Sequence, residues 1–124
     1  MPLEAAVTPL PLFTPAAEDL PATARFFRVL GDPTRLRILS LLLDGERNVT
    51  SLVRAVGASQ SRISNHLACL RWCHLVTAER RGRQVIYRIA DPAIGALVAS
   101  TAALIDDERR ERLACCKRIG SDEG

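Results

Sequence analysis

Residues 57–90 read GASQSRISNHLACLRWCHLVTAERRGRQVIYRIA, and this stretch decides the fold. Gly57 ends one helical segment and Ser59 can cap the next, and two helices joined by a tight glycine turn are typical of a helix-turn-helix. The stripe of the second helix that faces the core is predicted to consist of Ile63, Leu67, Leu70 and His74. Residues 75–80 and 84–90, the second of which alternates apolar and other side chains, then flank residues 81–83, Arg-Gly-Arg, and this predicts a β-hairpin with a basic tip.

Helices are predicted on both sides of this stretch. Toward the N-terminus, Gly31, Asp32 and Pro33 supply a helix stop, a cap and a first helical residue. The five expected helices cover about residues 22–30, 33–43, 50–56, 60–73 and a segment that starts near residue 92. The sequence therefore predicts an α+β protein with a winged helix-turn-helix, in which five helices accompany a two-stranded β-hairpin wing.

The deciding stretch is also basic. From Arg54 to Arg88 the chain has seven arginines and one acid, Glu79, although its formal net charge is only +3. Such a patch is the usual footprint of a phosphate-backbone partner. In a helix-turn-helix the first half of the second helix enters the major groove, so double-stranded operator DNA is the predicted partner. The predicted DNA-binding residues are Gln60, Ser61, Arg62, Ser64 and Asn65 on this helix, and Arg80, Arg81 and Arg83 at the hairpin tip.

Length and composition indicate one domain with two extensions. A chain of 124 residues can bury one core but not two. Residues 1–21 hold five of the seven prolines and are expected to form a flexible arm. Residues 22–114 are expected to form the DNA-binding and dimerisation domain, because the last helix carries an apolar seam that a second copy would cover. Residues 115–124 form a tail that begins with two cysteines. We therefore expect a homodimer.

Membrane insertion, export and catalysis do not fit the sequence. No apolar run approaches the roughly 18 residues that a membrane span needs. The N-terminus has no basic segment followed by an apolar one, as a secretory signal would have. We expect a soluble cytoplasmic protein with no membrane partner. The chain has no glycine-rich phosphate loop and no catalytic signature, so it is not expected to be an enzyme.

From about Ala22 to Asp107 the sequence resembles the ArsR/SmtB family of winged-helix metal-sensing repressors. The most specific pieces are the runs Asp32-Pro33-Thr34-Arg35 and Ser64-Asn65-His66-Leu67, and Gly82-Arg83 leading into Tyr87. The resemblance implies a homodimeric repressor that leaves DNA when metal binds. It also makes His66 part of the recognition-helix motif, as a structural or DNA-facing residue, so His66 joins the predicted DNA-binding set.

Branches of this family place their metal ligands on different elements. One site uses two cysteines in the helix before the recognition helix, but Asn48 and Thr50 stand at those positions here. Zinc sensors use aspartate and histidine pairs on the final helices, but Ala93 and Leu104 occupy the positions where histidine is expected. The cadmium- and lead-sensing branch uses two cysteines four apart late in the recognition helix and one from the tail. The cysteines that match this pattern are Cys69, Cys73, and Cys115 or Cys116.

All four cysteines are candidate metal ligands. In a reducing cytoplasm, thiols are more often ligands or reactive groups than structural disulfides. A spacing of four puts the Cys69 and Cys73 sulfurs on one helix face. Thiolates favour soft ions, which predicts cadmium, lead or mercury as the effector and makes zinc less suitable. His74, next to Cys73, is a further candidate ligand. Two alternatives stay open, a thiol redox switch and a metal-buffering module that does not regulate DNA.

Overall fold

The computed structural model describes residues 14–116. After a 3-10 turn at Ala17–Asp19, the helices of this range are α1 (Leu20–Leu30), α2 (Pro33–Leu43), α3 (Val49–Val56), α4 (Gln60–Trp72), α5 (Pro92–Leu104) and α6 (Asp107–Cys115). Its strands are β1 (Arg47–Asn48), β2 (Val76–Arg81) and β3 (Gln84–Ile89). The three strands form one antiparallel sheet in the order β1-β3-β2.

The predicted fold class is confirmed, since α3, α4 and the β2–β3 hairpin form a winged helix-turn-helix in the expected order. The number of elements differs in two places. A third strand, β1, pairs Arg47 with Tyr87 and Asn48 with Ile86. The expected last helix is divided into α5 and α6, because Ile105 leaves the helical conformation and the Asp106 carboxylate accepts the amide hydrogen of Arg109 at 2.8 Å. Aspartate at this position favours the start of a new helix.

Side-chain caps explain where the central helices begin. Asp32 accepts from the Arg35 amide at 3.0 Å, and Ser59 accepts from the Arg62 amide at 3.2 Å. Gly57 ends α3 at φ 80°, in the left-handed region that glycine adopts without steric cost. The boundaries predicted from Pro33 and from Ser59 are therefore correct. Helix α1 begins at Leu20, two residues before the predicted start.

One face of α4 packs into the hydrophobic core. The fully buried side chains of the core come from α2, α3, α4 and β2, and they are Ile38, Leu39, Leu52, Ile63, Leu67, Leu70 and Val76. The predicted stripe of α4 is therefore confirmed at its three apolar positions. His74 was wrongly predicted to continue the stripe: it follows the end of α4 at φ 62° and is exposed. The Leu75 amide donates back to the Leu70 carbonyl at 2.9 Å, a bond that closes the helix at this point.

Both ends of the chain lie in part outside residues 14–116. Residues 1–13 of the predicted arm and residues 117–124 of the predicted tail lie outside the described residues. In the part of the arm that is described, residues 17–19 form the 3-10 turn and residues 20–21 begin α1. None of the helices in residues 14–116 has both the length and the apolar character needed to cross a membrane.

Candidate nucleic-acid interface and thiol pair

The outer face of α4 is polar and open to solvent. While Ile63 and Leu67 are 0% and 1% exposed, five of the six DNA-binding residues predicted on α4 lie on the surface. These exposed residues are Gln60, Ser61, Arg62, Ser64 and Asn65. Because the apolar stripe anchors the helix, its polar N-terminal half is presented outward on a rigid support. Amide, guanidinium and hydroxyl groups of this kind can read base edges or bind phosphates.

His66 differs from the other predicted DNA-binding residues because it is half-buried and already has a partner. Its Nδ1 accepts a hydrogen bond from the Arg35 Nε at 3.3 Å. The same guanidinium donates from Nη1 to the Val29 carbonyl at 3.0 Å. Sequence reasoning missed Arg35 as a residue of the site. The signal available was its place in the Asp32-Pro33-Thr34-Arg35 run, which gave no sign of a contact 31 residues away.

The hairpin tip presents its arginines unequally. Gly82 turns the chain at φ 64°, and all three predicted arginines of the tip are exposed. Arg81, however, donates to Glu46 Oε2 at 3.2 Å and to Glu79 Oε1 at 2.9 Å. These bonds raise the pKa of the Arg81 guanidinium and lower that of the Glu46 carboxylate. Within residues 14–116, Arg80 and Arg83 are in no ion pair, so they carry the unpaired charge of the tip.

The structure brings Cys69 and Cys73 together at the C-terminal end of α4. Cys69 is half-buried and Cys73 is exposed. Partial desolvation raises the pKa of the Cys73 thiol, and the charge of Cys69 and a hydrogen bond with it act in the same direction, while the Arg35 charge opposes them. Two thiols one helical turn apart are suited to bind one soft ion between them. The donor chemistry therefore fits the predicted kind of metal.

The tail cysteines lie apart from this pair within one chain. Cys115 is the last residue of α6, Cys116 follows it, and both are exposed. Among residues 14–116, no three or more histidine, cysteine or acidic side chains gather in an arrangement that could hold a metal ion. His74 is exposed and does not complete a set with the thiol pair. A third ligand from Cys115 or Cys116 would have to come from another subunit or from a rearranged tail.

Among residues 14–116, several large apolar side chains are exposed. They lie on α1, at the end of α5 and on α6. They are Leu20, 51% exposed, Phe27, 54%, Leu104, 55%, Ile105, 38%, and Leu113, 50%. Large apolar side chains exposed on a few helices favour a protein interface. These five residues are named the dimer surface, and three of them, Leu104, Ile105 and Leu113, belong to the apolar seam predicted for the last helix.

Comparisons with known proteins agree with this geometry. The sequence profile described as "Bacterial regulatory protein, arsR family" matches residues 32–78. A Streptomyces lividans protein described as a "Probable mercury resistance operon repressor" is 45% identical over 97 residues, 78% of this chain and 77% of that one. The HTH-type transcriptional regulator CmtR of Mycobacterium tuberculosis is 47% identical over 91 residues, 70% of this chain and 77% of the relative.

Solved structures show the same arrangement of elements. The crystal structure of Rv0081 from Mycobacterium tuberculosis superposes with a TM-score of 0.70 at 35% identity, covering 80% of this chain and all of that one. A homodimeric winged helix-turn-helix DNA-binding domain from Mycobacterium bovis, solved by NMR, has a TM-score of 0.65 at 31% identity. It covers 75% of this chain and 89% of the relative. The similarity therefore holds for the fold as well as for the sequence.

Proposed function

The chain belongs to the arsR family of bacterial regulatory proteins, and from this premise we propose that it is a metal-responsive repressor acting on operator DNA as a homodimer. It is a transcriptional regulator and not an enzyme. In the proposal the metal-free dimer occupies its operator in the cytoplasm. It is released when cysteine thiolates of the protein bind a soft metal ion.

The observation that carries the DNA-binding part of the proposal is the two-faced character of α4. Its inner stripe is fully buried, and its outer N-terminal half is exposed and polar. This half would enter the major groove, with Gln60 and Asn65 suited to adenine and Arg62 to guanine. Arg80 and Arg83, which have no acidic partner within residues 14–116, would bind phosphates beside the groove.

The dimer surface supports the homodimeric form. Leu20 and Phe27 of α1 and Leu104 of α5 are each more than half exposed in the single chain, which is costly for large apolar side chains in water. A second copy related by a two-fold axis would cover them with the same surface. The homodimeric state of the Mycobacterium bovis relative is in keeping with this arrangement. Two recognition helices about 34 Å apart would then meet successive major grooves.

The thiol pair supports the metal-responsive part. Cys69 and Cys73 would supply two thiolate ligands, and Cys115 or Cys116 of the partner subunit a third. Sulfur ligands select soft ions, so we propose cadmium, lead or mercury as the effector in preference to zinc. The reference to mercury resistance in the description of the Streptomyces lividans relative favours an ion of this class. A bound ion would supply strong bonds between α4 and the tail, which the thiols alone cannot form.

The redox alternative has less support. Oxidants react with thiolates, and a thiol with a raised pKa is ionised to a smaller extent near neutral pH. The pKa of Cys73 is raised by desolvation and by Cys69. Both effects lower the fraction of Cys73 present as thiolate and so slow its reaction with an oxidant, whereas a soft metal ion displaces the thiol proton by direct bonding.

A DNA-binding titration tests the proposal. The reduced protein is titrated onto its own upstream DNA, labelled with a fluorophore, and anisotropy is followed with cadmium, lead, mercury or zinc, and with a thiol oxidant. We expect binding by the metal-free protein and release by a soft ion, but no release by the oxidant. Release by the oxidant alone would replace the metal sensor by a redox switch. Failure to bind DNA in every state would refute the repressor.

A further inference from the structure

The Arg35 side chain connects three helices. It projects from α2, donates to the Val29 carbonyl near the end of α1 at 3.0 Å, and donates to His66 Nδ1 on α4 at 3.3 Å. It is half-buried, so these bonds are partly shielded from competing water. Arg35 therefore ties the recognition helix to a helix of the dimer surface.

The bond to Arg35 also sets the chemical form of His66. Because Nδ1 accepts a hydrogen bond, it carries no proton, and in the neutral ring the proton lies on Nε2. His66 can then offer a donor, suited to a phosphate oxygen or to an acceptor on a base edge. The hydrogen bond from Arg35 thus orients the His66 ring and also leaves Nε2 as its donor.

The thiol pair lies close to this tie. Residues seven apart on a helix differ in direction by only about 20°, so Cys73 and His66 project from nearly the same side of α4. Arg35 reaches His66 Nδ1 at 3.3 Å, so its guanidinium lies beside the side of α4 from which Cys73 also projects. In residues 14–116, Arg35 is in no ion pair with an acid that would hold it more firmly.

The tie is weak enough to be broken. A separation of 3.3 Å between nitrogen atoms is long for a hydrogen bond, so the bond between Arg35 and His66 is easily displaced. Bonds between thiolates and a metal ion are far stronger than this hydrogen bond. At Cys69 and Cys73 they would form on the same helix, about one and two turns after His66. A small rotation of α4 toward the bound metal ion would separate His66 from Arg35.

We propose that Arg35 is a positioning residue, which holds α4 against α1 through His66 in the DNA-binding arrangement and transmits ligand binding at the thiol pair to the DNA-binding face. This inference rests on the proposed function. It assigns the transmission to one contact between two side chains, and so it predicts that DNA release can be lost while metal binding is kept.

The experiment compares Arg35→Lys with Arg37→Lys in the full-length protein. Lysine keeps the charge but cannot make the two directed bonds of the guanidinium. Arg37 is the matched control, because it is exposed on the same helix and its side chain makes no hydrogen bond within residues 14–116. For each protein, cadmium affinity is measured from thiolate absorbance without DNA, and DNA affinity is measured with and without cadmium.

Wild type and Arg37→Lys are expected to lose DNA affinity by about 5- to 150-fold on adding cadmium, the usual range for allosteric coupling. Arg35→Lys is expected to bind cadmium as wild type does, to bind DNA more weakly without metal, and to lose less than about threefold on adding cadmium. His66→Ala should behave like Arg35→Lys. His66→Gln, whose amide oxygen can accept from Arg35, should restore most of the cadmium effect.

Several outcomes separate this inference from the proposed function. If cadmium releases Arg35→Lys from DNA to the same extent as wild type, the inference is overturned and the metal sensor stays intact. A wild-type protein that binds cadmium but is not released would refute the proposed function. If Arg35→Lys does not fold by circular dichroism, the comparison of His66→Ala with His66→Gln decides, and equal cadmium effects in these two variants would overturn the inference.

Discussion

The two kinds of arginine at the wing tip give a quantitative prediction about DNA binding. Arg83 is in no ion pair within residues 14–116, whereas Arg81 is held by Glu46 and Glu79. Each phosphate contact changes the slope of log Kobs against log salt by about 0.9, because bound counterions are released. A dimer has two wings, so Arg83→Gln should make the slope shallower by about 1.8. Over a fourfold rise in salt, from about 50 to 200 mM, wild type should lose about tenfold more affinity than this variant.

The matched variant is Arg81→Gln. It removes the same charge from a side chain that is already paired with two carboxylates. Its slope should change by less than half as much as that of Arg83→Gln, although freeing the two carboxylates will weaken binding at every salt concentration. Fluorescence anisotropy on operator DNA at four or five salt concentrations measures both slopes. Equal changes of slope in the two variants would refute the assignment of phosphate contacts to the unpaired arginines.

Three further predictions concern stability and assembly. Asp32→Ala should lower the free energy of unfolding by about 1 kcal/mol in urea, because it removes the cap of α2. Burial raises the pKa of Asp32, but bonds from the Arg35 and Thr34 amides and nearby positive charge lower it overall. The stabilisation by Asp32 is therefore present above the unfolded pKa and should be lost as pH falls through the lower folded pKa. Equal pH profiles of stability for Asp32→Ala and wild type would contradict this. Leu67→Ala should lower the free energy of unfolding by about 2–5 kcal/mol, because Leu67 is 1% exposed in the core, and a loss below about 1 kcal/mol would contradict its burial. Phe27→Glu should shift the protein toward monomer in sedimentation experiments and reduce operator binding, whereas the same change at the exposed Arg37 should leave the oligomeric state unchanged.

Local signals made much of the fold predictable. Asp32 before Pro33 and Ser59 before α4 mark helix starts through their own side chains, so the relevant interaction lies within three residues. The spacing of Ile63, Leu67 and Leu70 indicated the buried face of α4 for the same reason. The polar face opposite that stripe then followed directly, and with it most of the candidate DNA-binding residues.

The features that sequence reasoning missed depend on distant contacts or on competing local preferences. Strand β1 has two residues, too few for an alternating pattern, and forms only because β3 is there to pair with it. The break after α5 depends on whether Asp106 caps a new helix or remains within the old one. The bond between Arg35 and His66 joins residues 31 apart, and the bond between Arg81 and Glu46 joins residues 35 apart.

The candidate metal site was predictable only in part, for a related reason. The spacing of Cys69 and Cys73 on one helix places their thiols together whatever the rest of the fold does. The position of Cys115 and Cys116 relative to them depends on how two chains pack, and no periodicity in a single sequence encodes that. This is why the pair on α4 can be described and the third ligand is a proposal.

The most direct test of the metal-sensing account is the release of operator DNA from Cys69→Ser, measured beside wild type with cadmium and with mercury. Serine keeps the size of the side chain and removes the soft ligand, so metal-free DNA binding should equal that of wild type and serve as the control for folding. The account predicts that wild type loses operator affinity by at least about fivefold and that Cys69→Ser loses almost none. Release of Cys69→Ser at the same metal concentration as wild type would contradict the account.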